Sequence, residues 1–149
     1  PGFCVPMDED CSFNDYYLKF ETKHRPNRVG HSDDCFLNGS DKEYSLKDND
    51  TILLCHEMFD DDAIVLSNMA DTVTLKSDKS RRSVTLSYPQ MHFLGIWHAP
   101  HTNAPYVCIE PWTSLPSRKG IVEDISCKFD LIRVNGGEEY NNEWSILLE

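Results

Sequence analysis

Tyr106-Val107-Cys108-Ile109-Glu110-Pro111-Trp112 sets a carboxylate at the end of an apolar, β-prone run. Tyrosine, valine and isoleucine favour extended backbone because branched and aromatic side chains pack well on a pleated surface. Such a strand holds Glu110 at a fixed height above its sheet. Pro111 is expected to stop the ladder, since it has no N–H to donate. Trp112 then presents a flat apolar face beside the carboxylate. A carboxylate in this setting is costly to desolvate unless it has partners or a task. The plainer reading is a strand-end glutamate that points into solvent.

Outward from this stretch the chain keeps the same character. Short β-prone runs separated by turn residues dominate, and helical periodicity is scarce. Ala63–Ser67, Thr72–Ser77 and Ser83–Tyr88 are the clearest strands, and Ser77-Asp78-Lys79-Ser80 joins the last two as a hairpin loop. Tyr16–Glu21 alternates, with Leu18 and Phe20 on one face and Lys19 and Glu21 on the other. Phe93–His98 is a further strand, and Glu57-Met58-Phe59 suits a single helical turn. At the end of the chain, Lys128–Val134 and Glu139–Leu148 are predicted to pair across Asn135-Gly136-Gly137. The pattern is that of an all-β antiparallel sandwich, read as one domain over residues 1–149.

Bulk properties narrow the function classes. Fourteen basic residues against 25 acidic ones give a net charge of −11. That balance argues against a phosphate-backbone partner, so no nucleic acid is expected, and against an anionic membrane surface. No run approaches the roughly 20 apolar residues of a spanning helix. Six cysteines, at 4, 11, 35, 55, 108 and 127, include no Cys-x-x-Cys pair, which argues against a zinc ribbon or a redox motif. Cys55, Cys108 and Cys127 lie in apolar runs and read as small buried hydrophobes of a reducing compartment, the cytoplasm. His24, His31, Asp33, Asp34 and Cys35 match no metal-ligand spacing and read as surface residues.

Four segments, in order, resemble the aldose 1-epimerase (galactose mutarotase-like) superfamily, and within it the lactose-operon-type proteins. They are Pro1–Pro6 with Phe13–Glu21, then Glu57–Leu66, Phe93–Trp97 and Val107–Trp112. The resemblance implies an antiparallel sandwich of the galactose mutarotase-like type, present here as its C-terminal half. It also implies interconversion of the α and β anomers of a hexose. A base takes the proton of the anomeric hydroxyl, an acid protonates the ring oxygen, the ring opens, and it recloses on the other face. That chemistry needs one carboxylate and one proton donor, with no metal and no cofactor.

The residues follow from the same likeness. Glu110 is the implied base. Asp61 or, one residue along, Asp62 is the implied anchor of sugar hydroxyls. Trp97 and Trp112 are implied walls, His98 a hydroxyl donor, and Phe3 a neighbour of the site. The family's acid is a histidine that would stand directly before Pro1, so the implied partner is the N-terminal half of the same sandwich. Two rivals stay open, an epimerase of a phosphorylated or otherwise modified sugar and a non-catalytic carbohydrate-binding module. The first calls for a basic cluster near the site, for which Arg118 and Lys119 are the local candidates. Glycoside hydrolysis is a further alternative, with Glu110 and an aspartate of the 60–62 run as opposed carboxylates.

Overall fold

Alternation of apolar and polar residues sorts the chain into two antiparallel sheets. The computed structural model describes residues 1–149. Its strands are β1 (Gly2–Cys4), β2 (Tyr16–Phe20), β3 (Asn27–Arg28), β4 (Lys42–Glu43), β5 (Thr51–Leu53), β6 (Ile64–Ser67), β7 (Thr72–Ser77), β8 (Val84–Ser87), β9 (Phe93–Trp97), β10 (Tyr106–Trp112) and β11 (Ser145–Leu148). The first sheet runs β1-β10-β9-β6-β3-β4, and the second runs β11-β8-β7-β2-β5. Short 3-10 turns at Phe13–Asp15 and His56–Phe59 link the layers. No helix is long and apolar enough to cross a membrane.

The core lies between the sheets. Tyr16, Leu18 and Phe20 of β2 pack with Val73, Leu75 and Leu86 of the second sheet, against Ile64, Leu66, Leu94, Ile96, Val107 and Ile109 of the first. Burying such side chains stabilises the fold by about 1.5–3 kcal/mol each. Strand parity then fixes the other face of the first sheet. If Ile109 and Val107 point inward, Cys108, Glu110 and Trp112 point outward.

Three expectations need correction. β10 does not stop at Pro111 but runs to Trp112, with Pro111 opposite Leu94 and Trp112 opposite Phe93. The reason is directional. Ile109 donates its N–H to Pro1 O (2.9 Å), towards β1, so the missing N–H of Pro111 faces the same way, beyond the start of β1. No bond to β9 is lost. The hairpin expected around Asn135-Gly136-Gly137 does not form. Only Ser145–Leu148 is a strand, and it pairs with β8, while Lys128 and Asp130 are engaged with Leu115. Finally, all six cysteines are free, but Cys127 is exposed, Cys55 and Cys108 are half-buried, and Cys11 is the buried one.

Candidate functional site

Three strands of the first sheet present one row of outward residues. Glu110 of β10 stands opposite Gly95 of β9, and Gly95 stands opposite Val65 of β6. On either side of this row, Trp112 faces Phe93 and Cys108 faces Trp97. The carboxylate therefore lies between two indoles on one face. Burial, and then the nearby Glu110 charge, push the Cys108 thiol up.

Gly95 is what lets the face close around the carboxylate. A Cβ there would fall 3.1 Å from one indole carbon of Trp112 and 3.4 Å from Glu110 Cβ. The indole thus lies over bare backbone. Its other contacts are a small cluster of Val29, Val65 and Leu115 on the same face. Leu115 is itself fixed through its backbone. Its N–H donates to Asp130, its carbonyl accepts from Lys128 Nζ (2.7 Å), and Lys128 and Asp130 pair with each other. Those two side chains are only 10% and 4% exposed. Burial alone would raise the Asp130 carboxyl, but Lys128 and the Leu115 amide outweigh it and hold it below the usual range.

The acidic turn Asp60-Asp61-Asp62 rims a cavity of about 780 Å³ on this side. Trp112, Val65, Pro100 and Pro116 also line it. The three carboxylates differ. Asp60 accepts from the His101 amide (3.1 Å) and lies 3.2 Å from His101 Nδ1. Asp62 accepts from Trp97 Nε1 (2.9 Å) and so fixes that indole. Asp61 makes no side-chain bond within the protein and is exposed at the cavity rim. Glu110 is not among the cavity's lining residues; it adjoins the cavity through Trp112.

Strand parity thus brings Glu110, Trp97 and Trp112 together, with Asp62 tied to Trp97 and Asp61 beside the cavity. It separates two expected members. His98 follows outward-facing Trp97, so it points inward and is fully buried. Its Nδ1 donates to Ala99 O (2.8 Å), which leaves Nε2 to accept from His56 Nδ1 (3.1 Å). Phe13 stacks on His56, and Phe59 packs on His98. Both nitrogens of His98 are taken, so it cannot donate to a ligand on the outer face. Phe3 pairs with inward Val107 and packs on the core, again away from Glu110.

Sequence reading missed Gly95, although a lone glycine inside a strand signals close backbone approach. It also missed Arg28, His31 and Lys42, which line the cavity from the β3–β4 side. Arg118 and Lys119, the expected basic candidates, are tied to Glu123 and Asp34.

Comparison with solved structures decides the fold. A galactose mutarotase-related enzyme from Lactobacillus acidophilus superposes with a TM-score of 0.88 at 25% identity, over all of this chain and 50% of that one. The fold is galactose mutarotase-like. A galactose mutarotase-like protein from Lactobacillus casei agrees, with a TM-score of 0.81 at 27% identity, over all of this chain and 51% of that one. The chain therefore spans about half the length of these mutarotase-like structures. No protein-family model matches the sequence, and no curated protein matches it.

Proposed function

We propose that the chain is part of an aldose 1-epimerase, an isomerase that interconverts the anomers of a hexose by acid/base catalysis. The observation that carries this reading is Glu110 on the outer face between Trp97 and Trp112, in a fold shared with mutarotase-related structures. In this mechanism Glu110 takes the proton of the anomeric hydroxyl. An acid on a neighbouring strand protonates the ring oxygen, and the C1–O5 bond breaks to give the open aldehyde. Rotation about C1–C2 and closure on the other face complete the exchange, and both protons return. Trp112 and Trp97 flank the sugar ring, and Asp61 accepts from its hydroxyls. The free thiols suit a cytoplasmic setting.

The β1 register supports a position for the acid. Gly2 pairs with Cys108 and Phe3 with Val107, so a residue directly preceding Pro1 would fall opposite Glu110. Val5 N–H to Pro105 O and Ile109 N–H to Pro1 O make the odd-numbered β1 residues the hydrogen-bonded pairs. The position before Pro1 would then be a non-hydrogen-bonded pair with Glu110. In such pairs the Cα atoms are about 4.5 Å apart and the side chains closest. The histidine implied by resemblance would sit there, on the carboxylate's side of the sheet.

A second reading is favoured by one observation. Arg28 and Lys42 line the cavity yet join none of the chain's ion pairs. This suits a sugar with an anionic substituent. Polarimetry separates the readings, using fresh α-glucose, α-galactose and α-glucose 6-phosphate with the chain extended upstream in its own reading frame. Faster mutarotation of the free hexoses supports the first reading, and of the phosphate alone the second. No acceleration of any of them, with sugar still bound, would leave a carbohydrate-binding module.

A further inference from the structure

Trp112 ends its strand, and the chain after it has no ladder to hold it. Between Trp112 and Ser145 there is no strand, only a single bridge between Arg118 and Leu37. Yet Leu115, shortly after Trp112, is 9% exposed and belongs to the cluster that backs the indole. A buried residue outside a ladder needs other partners for its N–H and C=O groups. At Leu115 both partners come from one ion pair. Asp130 accepts from the amide, and Lys128 Nζ donates to the carbonyl at 2.7 Å.

That pair is unlike the chain's other ion pairs. In each of the others the cation is at least 42% exposed, whereas Lys128 and Asp130 are both buried. The cost of taking two charges out of water can exceed the attraction between them, so apolar side chains of similar size would serve stability as well. Apolar side chains cannot, however, bond to a backbone. An ammonium on the carbonyl and a carboxylate on the amide of one residue fix both its place and its orientation.

The place of Leu115 bears on two parts of the cavity lining. Trp112 and Leu37 both pack on the cluster that Leu115 forms with Val29 and Val65. Leu37 is tied to the same segment by backbone bonds. Its N–H donates to Ser117 O (2.9 Å), and Lys119 N–H donates to Leu37 O (2.8 Å). The loop that ends at Leu37 carries His31, Ser32 and Cys35, which line the cavity as Trp112 does.

We propose that Lys128 and Asp130 are positioning residues of the site. By holding Leu115 at both backbone groups, they set the place of Trp112 and of the 31–37 loop, and so the shape of the cavity that these residues line. The consequence for a sugar rests on the reading of Trp112 as a wall of the sugar site; the positioning itself does not.

The indole N–H resonances of Trp112 and Trp97 in the extended chain, recorded without sugar, separate positioning from stability. Trp97 is held by Asp62 and serves as the reference. Lys128→Met leaves Asp130 buried without its cation and should lower the Tm by several degrees. Adding Asp130→Leu removes both charges and should recover most of that loss. In this double variant the Trp112 resonance should still shift or broaden, while that of Trp97 stays in place. The Leu37 amide should exchange about tenfold faster. KM for galactose should rise about tenfold with kcat little changed. Lys128→Met alone frees the Leu115 carbonyl and should move the Trp112 resonance in its folded fraction, so the outcome does not depend on the double variant folding. Variants with Trp112 and Leu37 as in the unsubstituted chain would overturn the proposal, because the pair would then serve stability alone. So would a Trp97 resonance that moves as far as that of Trp112, since the change would then be general. If the unsubstituted chain neither binds nor turns over galactose, yet the substitutions move Trp112 alone, the sugar reading sinks and the positioning stands.

Discussion

Along β9, Leu94 and Ile96 face the second sheet and are fully buried, while Phe93, Gly95 and Trp97 face the other way and surround Glu110. The two faces alternate residue by residue, yet they follow different rules. The inner face is closed by packing, and His98, which lies on that side, has both nitrogens bonded. The outer face keeps a carboxylate between indoles and leaves Asp61 without a partner. A carboxylate between two indoles, beside an unpaired aspartate, is the side on which a polar ligand is proposed; a histidine with both nitrogens bonded belongs to the packing.

Substitutions on each face should separate stability from chemistry. The largest effect is expected from Glu110→Gln in the extended chain. Loss of the proposed base should cut the mutarotation rate about a thousandfold, roughly 4 kcal/mol of barrier, with the Tm unchanged. Ile96→Ala, on the inner face, should do the opposite. It should cost about 2–5 kcal/mol in denaturant unfolding while the rate per folded molecule holds. A rate loss in Ile96→Ala as large as that in Glu110→Gln would erase the distinction between the faces.

Gly95→Ala sits between the two. Its Cβ would press on the Trp112 indole at 3.1 Å. An overpacking cost of about 1–3 kcal/mol is expected, with KM for sugar raised more than kcat is lowered. The smallest effect concerns pH. Burial, and then the neighbouring His98, hold His56 below the ordinary histidine value of 6.5. A histidine that stays neutral when folded binds fewer protons than in the unfolded chain. Stability should therefore be full above about pH 6.5, fall as the pH drops below that, and level off beneath the folded value. Thermal melts from pH 8 to 5 check this, and His56→Gln should flatten the slope.

Much of the fold was legible because its strands alternate. Tyr16, Leu18 and Phe20, or Val73 and Leu75, announce their buried face outright. Ala63–Leu66 and Phe93–Trp97 do not, since they are apolar on both faces, and parity cannot be set without a partner strand. The resemblance places His98 and Phe3 with Glu110, but β9 and β1 turn them inward. Pro111 departs from expectation for a related reason: the sequence does not say which way its missing N–H points. The C-terminal hairpin failed because Asn-Gly-Gly is only a local signal. It is overridden where Lys128 and Asp130 find Leu115 and where β11 finds β8.

The most direct test of an outer-face site is a galactose titration of the extended chain, followed by NMR of the indole N–H and histidine ring resonances. The account predicts that Trp97 and Trp112 shift together and saturate with one dissociation constant, while His56 and His98 stay still. Shifts confined to His56 and His98, with both indoles unmoved, would contradict it.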